Sequence, residues 1–114
     1  MGMADRVSWA SFNHYSIETV RQLAPEAETA YLYSDIICGV ERYAAAHGVR
    51  GLHPGLWNVK MADLLQRYLA SGLAVRVWTV DAAADLRWLL AARADVITND
   101  PPLALTVRAA LEAR

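Results

Sequence analysis

The stretch that decides the fold is Leu73-Ala-Val-Arg-Val-Trp-Thr-Val-Asp81, followed after one apolar segment by Ala94-Asp-Val-Ile-Thr-Asn-Asp-Pro-Pro102. The first run is nearly all apolar, as expected of a parallel strand that is covered on both faces. The segment between the two runs carries Leu86, Leu89 and Leu90 at helical spacing. We therefore predict a strand, a helix and a second strand, with polar and aromatic residues gathered where each strand ends.

The same alternation extends outward over the whole chain. Strand starts fall near residues 6, 29, 49, 73 and 94, which gives spacings of 23, 20, 24 and 21 residues. A repeat of this kind predicts a parallel sheet with right-handed helical crossovers. The predicted strands cover residues 6–12, 29–33, 49–52, 73–80 and 95–98, and a helix follows each of them.

Helix boundaries follow from capping residues and from proline. Ser16 is a plausible N-cap of the first helix, which Pro25 stops. We predict that the second helix covers residues 36–46 and that an amphipathic helix covers residues 59–70. Asp81 is expected to cap the next helix, and Asp100 with the two prolines after it marks the start of the last.

The α/β repeat by itself leaves two architectures open. One is an open five-stranded parallel α/β sheet, and the other is part of a TIM-type (β/α)8 barrel. A barrel typically needs about 250 residues, so length alone favours the open sheet; with either architecture we predict a single domain over residues 1–114.

Composition excludes several classes of function. The chain is 55% hydrophobic and 20% charged, so it can bury a real core. A net charge of −1 gives no electrostatic footprint for nucleic acid, and the apolar runs are too short to span a membrane. The single cysteine, Cys38, fits a reducing compartment. We therefore expect a cytoplasmic protein with neither a nucleic-acid partner nor a membrane span.

A series of short motifs resembles the later half of glycerophosphodiester phosphodiesterases in order and spacing. The two most specific are Val77-Trp-Thr-Val-Asp81 and Ile97-Thr-Asn-Asp-Pro101. The resemblance covers nearly the whole chain, from about Val7 to Leu105. The remaining motifs are Ser11-Phe-Asn13, Arg21-Gln-Leu-Ala-Pro25, Ala30-Tyr-Leu-Tyr33 and Leu52-His-Pro54.

Chain length favoured an open sheet, but this resemblance implies a partial TIM-type barrel of about five consecutive βα units instead. Members of the family hydrolyse glycerophosphodiesters to an alcohol and glycerol 3-phosphate, with a divalent metal, commonly calcium or magnesium, held by carboxylates. Their acid/base pair is two histidines, one in a His-Arg-Gly motif and one shortly after a Glu-x-Asp. The sequence contains neither motif, nor the family's Glu-x-Lys on a strand. We therefore predict no catalytic residues and no metal ligands in this chain, and no activity from it alone.

The resemblance implies that this chain forms one wall of a substrate pocket. Trp78 and Phe12 match aromatic residues that line the barrel mouth in the family, although both would also suit a core. Asp100 suits a helix cap better than a substrate contact, and a histidine before Pro-Gly is more often a loop residue that bonds to the backbone. The polar residues that could face the same mouth are Thr79, Thr98, Asn99, Asp100 and His53.

A partial barrel would leave its first and last strands as unpaired edges. Proteins usually cover such edges by association with another chain or segment. We therefore expect a homo-oligomer, or an N-terminal barrel fragment that joins in trans and lets a glycerophosphodiester bind. Three hypotheses remain: part of a phosphodiesterase, a non-catalytic self-associating binding or structural module, or an open sheet that binds a small ligand. For the chain alone, the second is favoured.

Overall fold

The computed structural model describes residues 8–113 and contains one parallel sheet flanked by helices. The sheet order is β1-β2-β3-β4-β5, and every neighbouring pair is parallel. The strands are β1 (Ser8–Ser11), β2 (Glu28–Tyr33), β3 (Gly51–Pro54), β4 (Ala74–Trp78) and β5 (Asp95–Ile97). Arg6 and Val7, which were predicted to begin the first strand, lie outside the described residues.

The helices alternate with the strands, as the repeat predicts. They are α1 (His14–Leu23), α2 (Val40–Ala46), α3 (Leu56–Val59), α4 (Leu64–Ala70), α5 (Ala83–Ala91) and α6 (Pro101–Glu112). Within residues 8–113, no helix has both the length and the apolar character needed to cross a bilayer.

The strand order distinguishes the two architectures. A doubly wound sheet reverses its order at a switch point, whereas here each strand pairs with the next one along the chain. Unreversed right-handed crossovers bring all the helices to one face of the sheet. Along β4, Val75 and Val77 are buried, while Ala74, Arg76 and Trp78 are partly exposed. One face is therefore packed against helices, and the other face is open, as in part of a barrel.

The core lies between the sheet and the helices. Its largest fully buried side chains include Tyr31 and Leu52 from strands and Tyr68, Leu86 and Leu89 from helices. Successive strand residues point to opposite faces, so the odd-numbered residues of β2 and β4 supply this layer.

Several predicted boundaries are wrong, and backbone conformation explains two of them. The second helix begins at Val40 rather than near residue 36, because Gly39 takes a left-handed conformation with φ of 74°. The helix predicted over residues 59–70 is divided into α3 and α4, and Ala62 between them has φ of 47°. The third strand covers Gly51–Pro54 rather than residues 49–52, so His53 lies inside it.

Two predicted caps are also wrong. Asn13 rather than Ser16 caps α1, since its side chain accepts bonds from the backbone N–H groups of Tyr15 and Ser16. Asp81 does not cap α5, whose N-cap position is Ala82 with no side-chain bond. The Asp81 carboxylate is bonded to the loop that follows β5 instead.

Within the described residues, β1 and β5 each pair along one side only. The side chains of Phe12, just after β1, and Ile97, at the end of β5, are 59% and 41% exposed. Both edges therefore present unpaired backbone groups and apolar surface, as expected for part of a barrel.

Candidate functional site

Three aromatic side chains form a continuous surface at the carboxyl ends of the strands, and we call Phe12, Trp57 and Trp78 the aromatic wall. Trp78 lies in the centre, with its ring centroid 5.9 Å from that of Phe12 and 5.3 Å from that of Trp57. Both contacts are edge-on, with interplanar angles of 83° and 85°. In parallel α/β folds, binding sites form at this end of the sheet.

Two hydrogen bonds and one glycine fix the aromatic wall in place. The Trp78 indole Nε1–H donates to the backbone oxygen of His53 at 2.7 Å, and the Trp57 Nε1–H donates to that of Ser34 at 2.6 Å. A Cβ added at Gly55 would lie 2.6 Å from the Trp57 ring, so only glycine lets that ring pack against the backbone. Both indole rings are thus held by hydrogen bonds, although half of the Trp57 side chain remains exposed.

Thr98 and Asn99 are engaged by the loop that follows β4. The Thr98 hydroxyl donates to Asp81 Oδ1 at 2.9 Å, as does the Asn99 backbone N–H at 2.8 Å. The Asn99 side-chain amide donates to Asp81 Oδ2 at 3.2 Å. These bonds, led by that from the Asn99 backbone, hold the pKa of the Asp81 carboxyl below its usual value. The three residues therefore tie two neighbouring loops together.

The remaining strand-end polar residues have different surroundings. Asp100 caps α6, since its Oδ1 accepts from the Leu103 backbone N–H at 3.2 Å. Thr79 is exposed and directly follows Trp78 at the end of β4. Of the strand-end set, Thr79 is thus next to Trp78 in the chain, while Asp100 stabilises a helix.

A second group of side chains, the charged cluster, meets on the open face of the sheet around Arg76. The Arg76 guanidinium lies 3.2 Å from Glu28 Oε1, 3.7 Å from Asp95 Oδ2 and 3.2 Å from His53 Nε2. It also donates to the Ser8 hydroxyl at 3.4 Å. One side chain on β4 thus contacts residues from all four other strands.

His53 faces this cluster and is 7% exposed. Burial, followed by the neighbouring Arg76 charge, lowers the pKa of the His53 imidazole to about 4. The ring is therefore neutral at pH 7, and its Nε2 accepts a hydrogen bond from Arg76. In this arrangement its side chain orients Arg76, and its backbone oxygen orients Trp78.

The residues present do not fit the divalent metal that the resemblance implies. No group of three or more His, Cys, Asp or Glu side chains suited to a metal ion occurs within residues 8–113. The Asp81 oxygens already accept three hydrogen bonds, and Glu28 and Asp95 neutralise Arg76.

A separate cleft of about 900 Å³ opens at the amino ends of the strands, lined in part by Arg21, Glu28, Arg50 and Leu73. It lies at the opposite end of the sheet from the aromatic wall. We place the candidate site at the wall, because this aromatic surface lies at the carboxyl ends of the strands, where binding sites form in parallel α/β folds.

Sequence reasoning missed Trp57 and the charged cluster. A tryptophan two residues after Gly55, in the segment that follows a strand, was a usable signal for Trp57. An arginine in the middle of an apolar strand was a signal for Arg76, because a buried charge needs partners. The partners themselves come from distant segments, and Ser8 is 68 residues away.

Comparison with known proteins identifies the family. A sequence model described as the "Glycerophosphoryl diester phosphodiesterase family" matches residues 1–104. The chain is 35% identical over 99 residues to the uncharacterized protein YqiK of Bacillus subtilis, covering 86% of this chain and 41% of that protein. It is also 35% identical over 101 residues to a glycerophosphodiester phosphodiesterase of Caldanaerobacter subterraneus, covering 85% and 40%. The chain thus spans about two fifths of the length of these curated relatives.

Solved structures share the fold. A glycerophosphodiester phosphodiesterase from Parabacteroides distasonis superimposes with a TM-score of 0.84 at 21% identity, covering 98% of this chain and 46% of that one. An Oleispira antarctica phosphodiesterase, solved with the product sn-glycerol-3-phosphate, gives a TM-score of 0.75 at 20% identity, covering 92% and 41%. The predicted partial barrel of the TIM type is confirmed, and the chain belongs to the glycerophosphoryl diester phosphodiesterase family.

Proposed function

We propose that this chain supplies the substrate-binding wall of a glycerophosphodiester phosphodiesterase and hydrolyses no substrate by itself. The observation that carries the proposal is the aromatic wall, which is fixed by two indole hydrogen bonds at the carboxyl ends of the strands. An apolar surface of this kind positions a substrate and excludes water from one side of it. We assign Phe12, Trp57 and Trp78 to this surface, together with Thr79, which follows Trp78 in the chain.

Hydrolysis of a phosphodiester needs a group that protonates the leaving oxygen and a positive charge near the phosphoryl group. His53 does not supply the proton at neutral pH, since its pKa is lowered to about 4 and its Nε2 is bonded to Arg76. Arg76 does not supply free positive charge, since Glu28 and Asp95 flank it. The acid/base histidines and the carboxylates for calcium or magnesium therefore come from outside residues 1–114.

The partner that we assign is the N-terminal segment of the barrel, joined in trans or in a longer chain. Support comes from the coverage of 40–41% of the two curated relatives and from the unpaired edges of β1 and β5. Backbone groups along these edges can pair with further parallel strands. A complete site would then bind a glycerophosphodiester against the aromatic wall.

A second candidate function is a self-associating binding or structural module without catalysis. The exposed side chains of Phe12 and Ile97 beside the open edges favour it, because a second copy would cover them.

We also propose a cytoplasmic location, supported by the exposed free thiol of Cys38, which persists in a reducing compartment.

Two measurements test these proposals. Purified chain with glycerophosphocholine and calcium or magnesium should release no glycerol 3-phosphate, and turnover that is lost in Trp78→Ala would contradict the assignment. Sedimentation equilibrium over a concentration series should show association. A monomer at every concentration would rule out the self-associating module.

A further inference from the structure

We propose that the strand which pairs with β5 in the complete barrel carries a lysine or arginine that faces the charged cluster beside Asp95. This deepens the proposed function and rests on it, because it gives the chemistry of the N-terminal segment that completes the barrel. The occupant of the open edge of β5 is then a basic segment from outside residues 1–114 rather than a second copy of this chain.

The sheet is already curved in the way that a closed barrel requires. Neighbouring strands lie about 4.8 Å apart, so β1 and β4 would be about 14 Å apart in a flat sheet, and side chains stand roughly perpendicular to it. The Arg76 guanidinium on β4 nevertheless lies 3.4 Å from the Ser8 hydroxyl on β1 and 3.7 Å from the Asp95 carboxylate on β5. A Cβ on Gly51 would lie 2.7 Å from that of Ala30, which also indicates a concave face. The charged cluster therefore lies in the interior of the barrel that further strands would close.

Asp95 lies at the edge of this interior layer. It is in register with Arg76 on the neighbouring strand, and β5 has no partner along its other side within the described residues. Its contact with Arg76 Nε, at 3.7 Å, is too long for a hydrogen bond, and its side chain is 69% exposed. A strand added beside β5 would place one inward-facing side chain opposite Asp95, about 5 Å away by Cβ. That side chain would therefore meet a carboxylate.

The charged cluster has one surplus negative charge among the residues that the structure describes. Glu28 and Asp95 each carry one negative charge, and Arg76 carries one positive charge. His53 is neutral, since its Nε2 accepts a hydrogen bond from Arg76. The interior of a TIM-type barrel is a packed core, where a charge without a partner costs free energy. A basic side chain opposite Asp95 would make the completed layer neutral.

A second copy does not offer this basic group. Within residues 8–113, the side chains of the edge strands that share the concave face are Ser8 and Ala10 on β1, and Asp95 and Ile97 on β5. Two copies joined edge to edge would bring two clusters, each with a surplus negative charge, into one interior. Like charges repel most strongly where water is excluded, so charge favours a different partner.

Binding of a separately produced barrel fragment tests the proposal. The probe is the N-terminal part of the Caldanaerobacter subterraneus relative, labelled with a fluorophore and titrated with this chain. Fluorescence anisotropy gives the affinity at about 0.05 M and about 0.5 M NaCl, because salt screens an attraction between charges. We expect saturable binding that is weaker at the higher salt concentration.

Three variants of this chain separate charge from shape. Asp95→Asn keeps the shape and removes the charge, so it should weaken binding by about fivefold and reduce the salt dependence. Asp95→Glu keeps the charge and should retain the wild-type affinity. Asp63→Asn makes the same change in charge at the exposed N-cap position of α4, between β3 and β4, and should leave binding unchanged. Circular dichroism confirms that each variant is folded.

Unchanged affinity and salt dependence in Asp95→Asn would overturn the proposal and leave the proposed function in place. Equal weakening by Asp95→Asn and Asp95→Glu would also overturn it, because shape rather than charge would then set the affinity. Self-association of the wild type that is tighter than its binding to the probe would overturn the choice of occupant. No binding by the wild type would contradict this proposal and the proposed function together. Absence of glycerol 3-phosphate release from the mixture, with charge-dependent binding intact, would contradict the proposed function alone.

Discussion

Lowering the pH from 7 to 5 is expected to destabilise the fold through His53. The imidazole is 7% exposed and lies 3.2 Å from the Arg76 guanidinium, so a proton on Nε2 would place two positive charges in contact. Glu28 and Asp95 face the same cluster and offset part of this repulsion. Burial is the larger cause, and the pKa falls from 6.5 to about 4.

Proton linkage gives the sign and the size of the change in the free energy of unfolding. Between pH 6.5 and pH 4 the unfolded chain binds a proton at His53 and the folded chain does not, so stability falls as the pH decreases. The loss develops below pH 6.5 and levels off near pH 4. With one pKa unit equal to about 1.4 kcal/mol, the loss between pH 7 and pH 5 is about 2 kcal/mol.

The assay is urea unfolding of the wild type and of His53→Gln at both pH values, followed by circular dichroism. Glutamine retains an acceptor for Arg76 and does not titrate. Groups shared by both proteins, including His14, whose pKa burial also lowers, cancel in the difference. The variant should lose about 2 kcal/mol less than the wild type on acidification. Equal losses in the two proteins would refute the reasoning.

Two further substitutions test the packing of the sheet and the start of α6. Gly51→Ala would place a Cβ 2.7 Å from that of Ala30 on the next strand, so the free energy of unfolding should fall by about 1–3 kcal/mol in urea titration. A neutral result would mean that β2 and β3 can separate without cost. Asp100→Ala removes the acceptor for the Leu103 N–H and should cost about 1 kcal/mol, whereas Asp100→Asn should cost less. Equal losses in both variants would contradict a capping role.

The order of strands and helices was predictable because it depends on local periodicity. Alternation of apolar runs near β4 and β5 and the helical spacing of Leu86 and Leu89 are encoded within short windows. The predicted helix boundaries were wrong where one residue takes a left-handed backbone conformation. Ala62 is an example, because alanine carries no sequence signal for a positive φ.

The candidate site was predictable only in part. Trp78 and Phe12 were named through the family resemblance, and the structure brings them within 5.9 Å of each other by ring centroid. The partner of Asp81 was missed because it lies on a loop 17 residues away, and local sequence favours a helix cap at such a position. The contacts of Arg76 join all five strands, and pattern reasoning along one chain segment does not reveal pairings of that kind.

The central claim is that this chain provides the wall of a phosphodiesterase site and that residues from outside it provide the chemistry. The most direct test is complementation. The chain is mixed with the separately produced N-terminal part of the Caldanaerobacter subterraneus relative, and release of glycerol 3-phosphate from glycerophosphocholine is measured with calcium or magnesium. We predict no release by either part alone, release by the mixture, and a large loss of that release with Trp78→Ala. Release by this chain alone, or a mixture in which Trp78→Ala has no effect, would contradict the account.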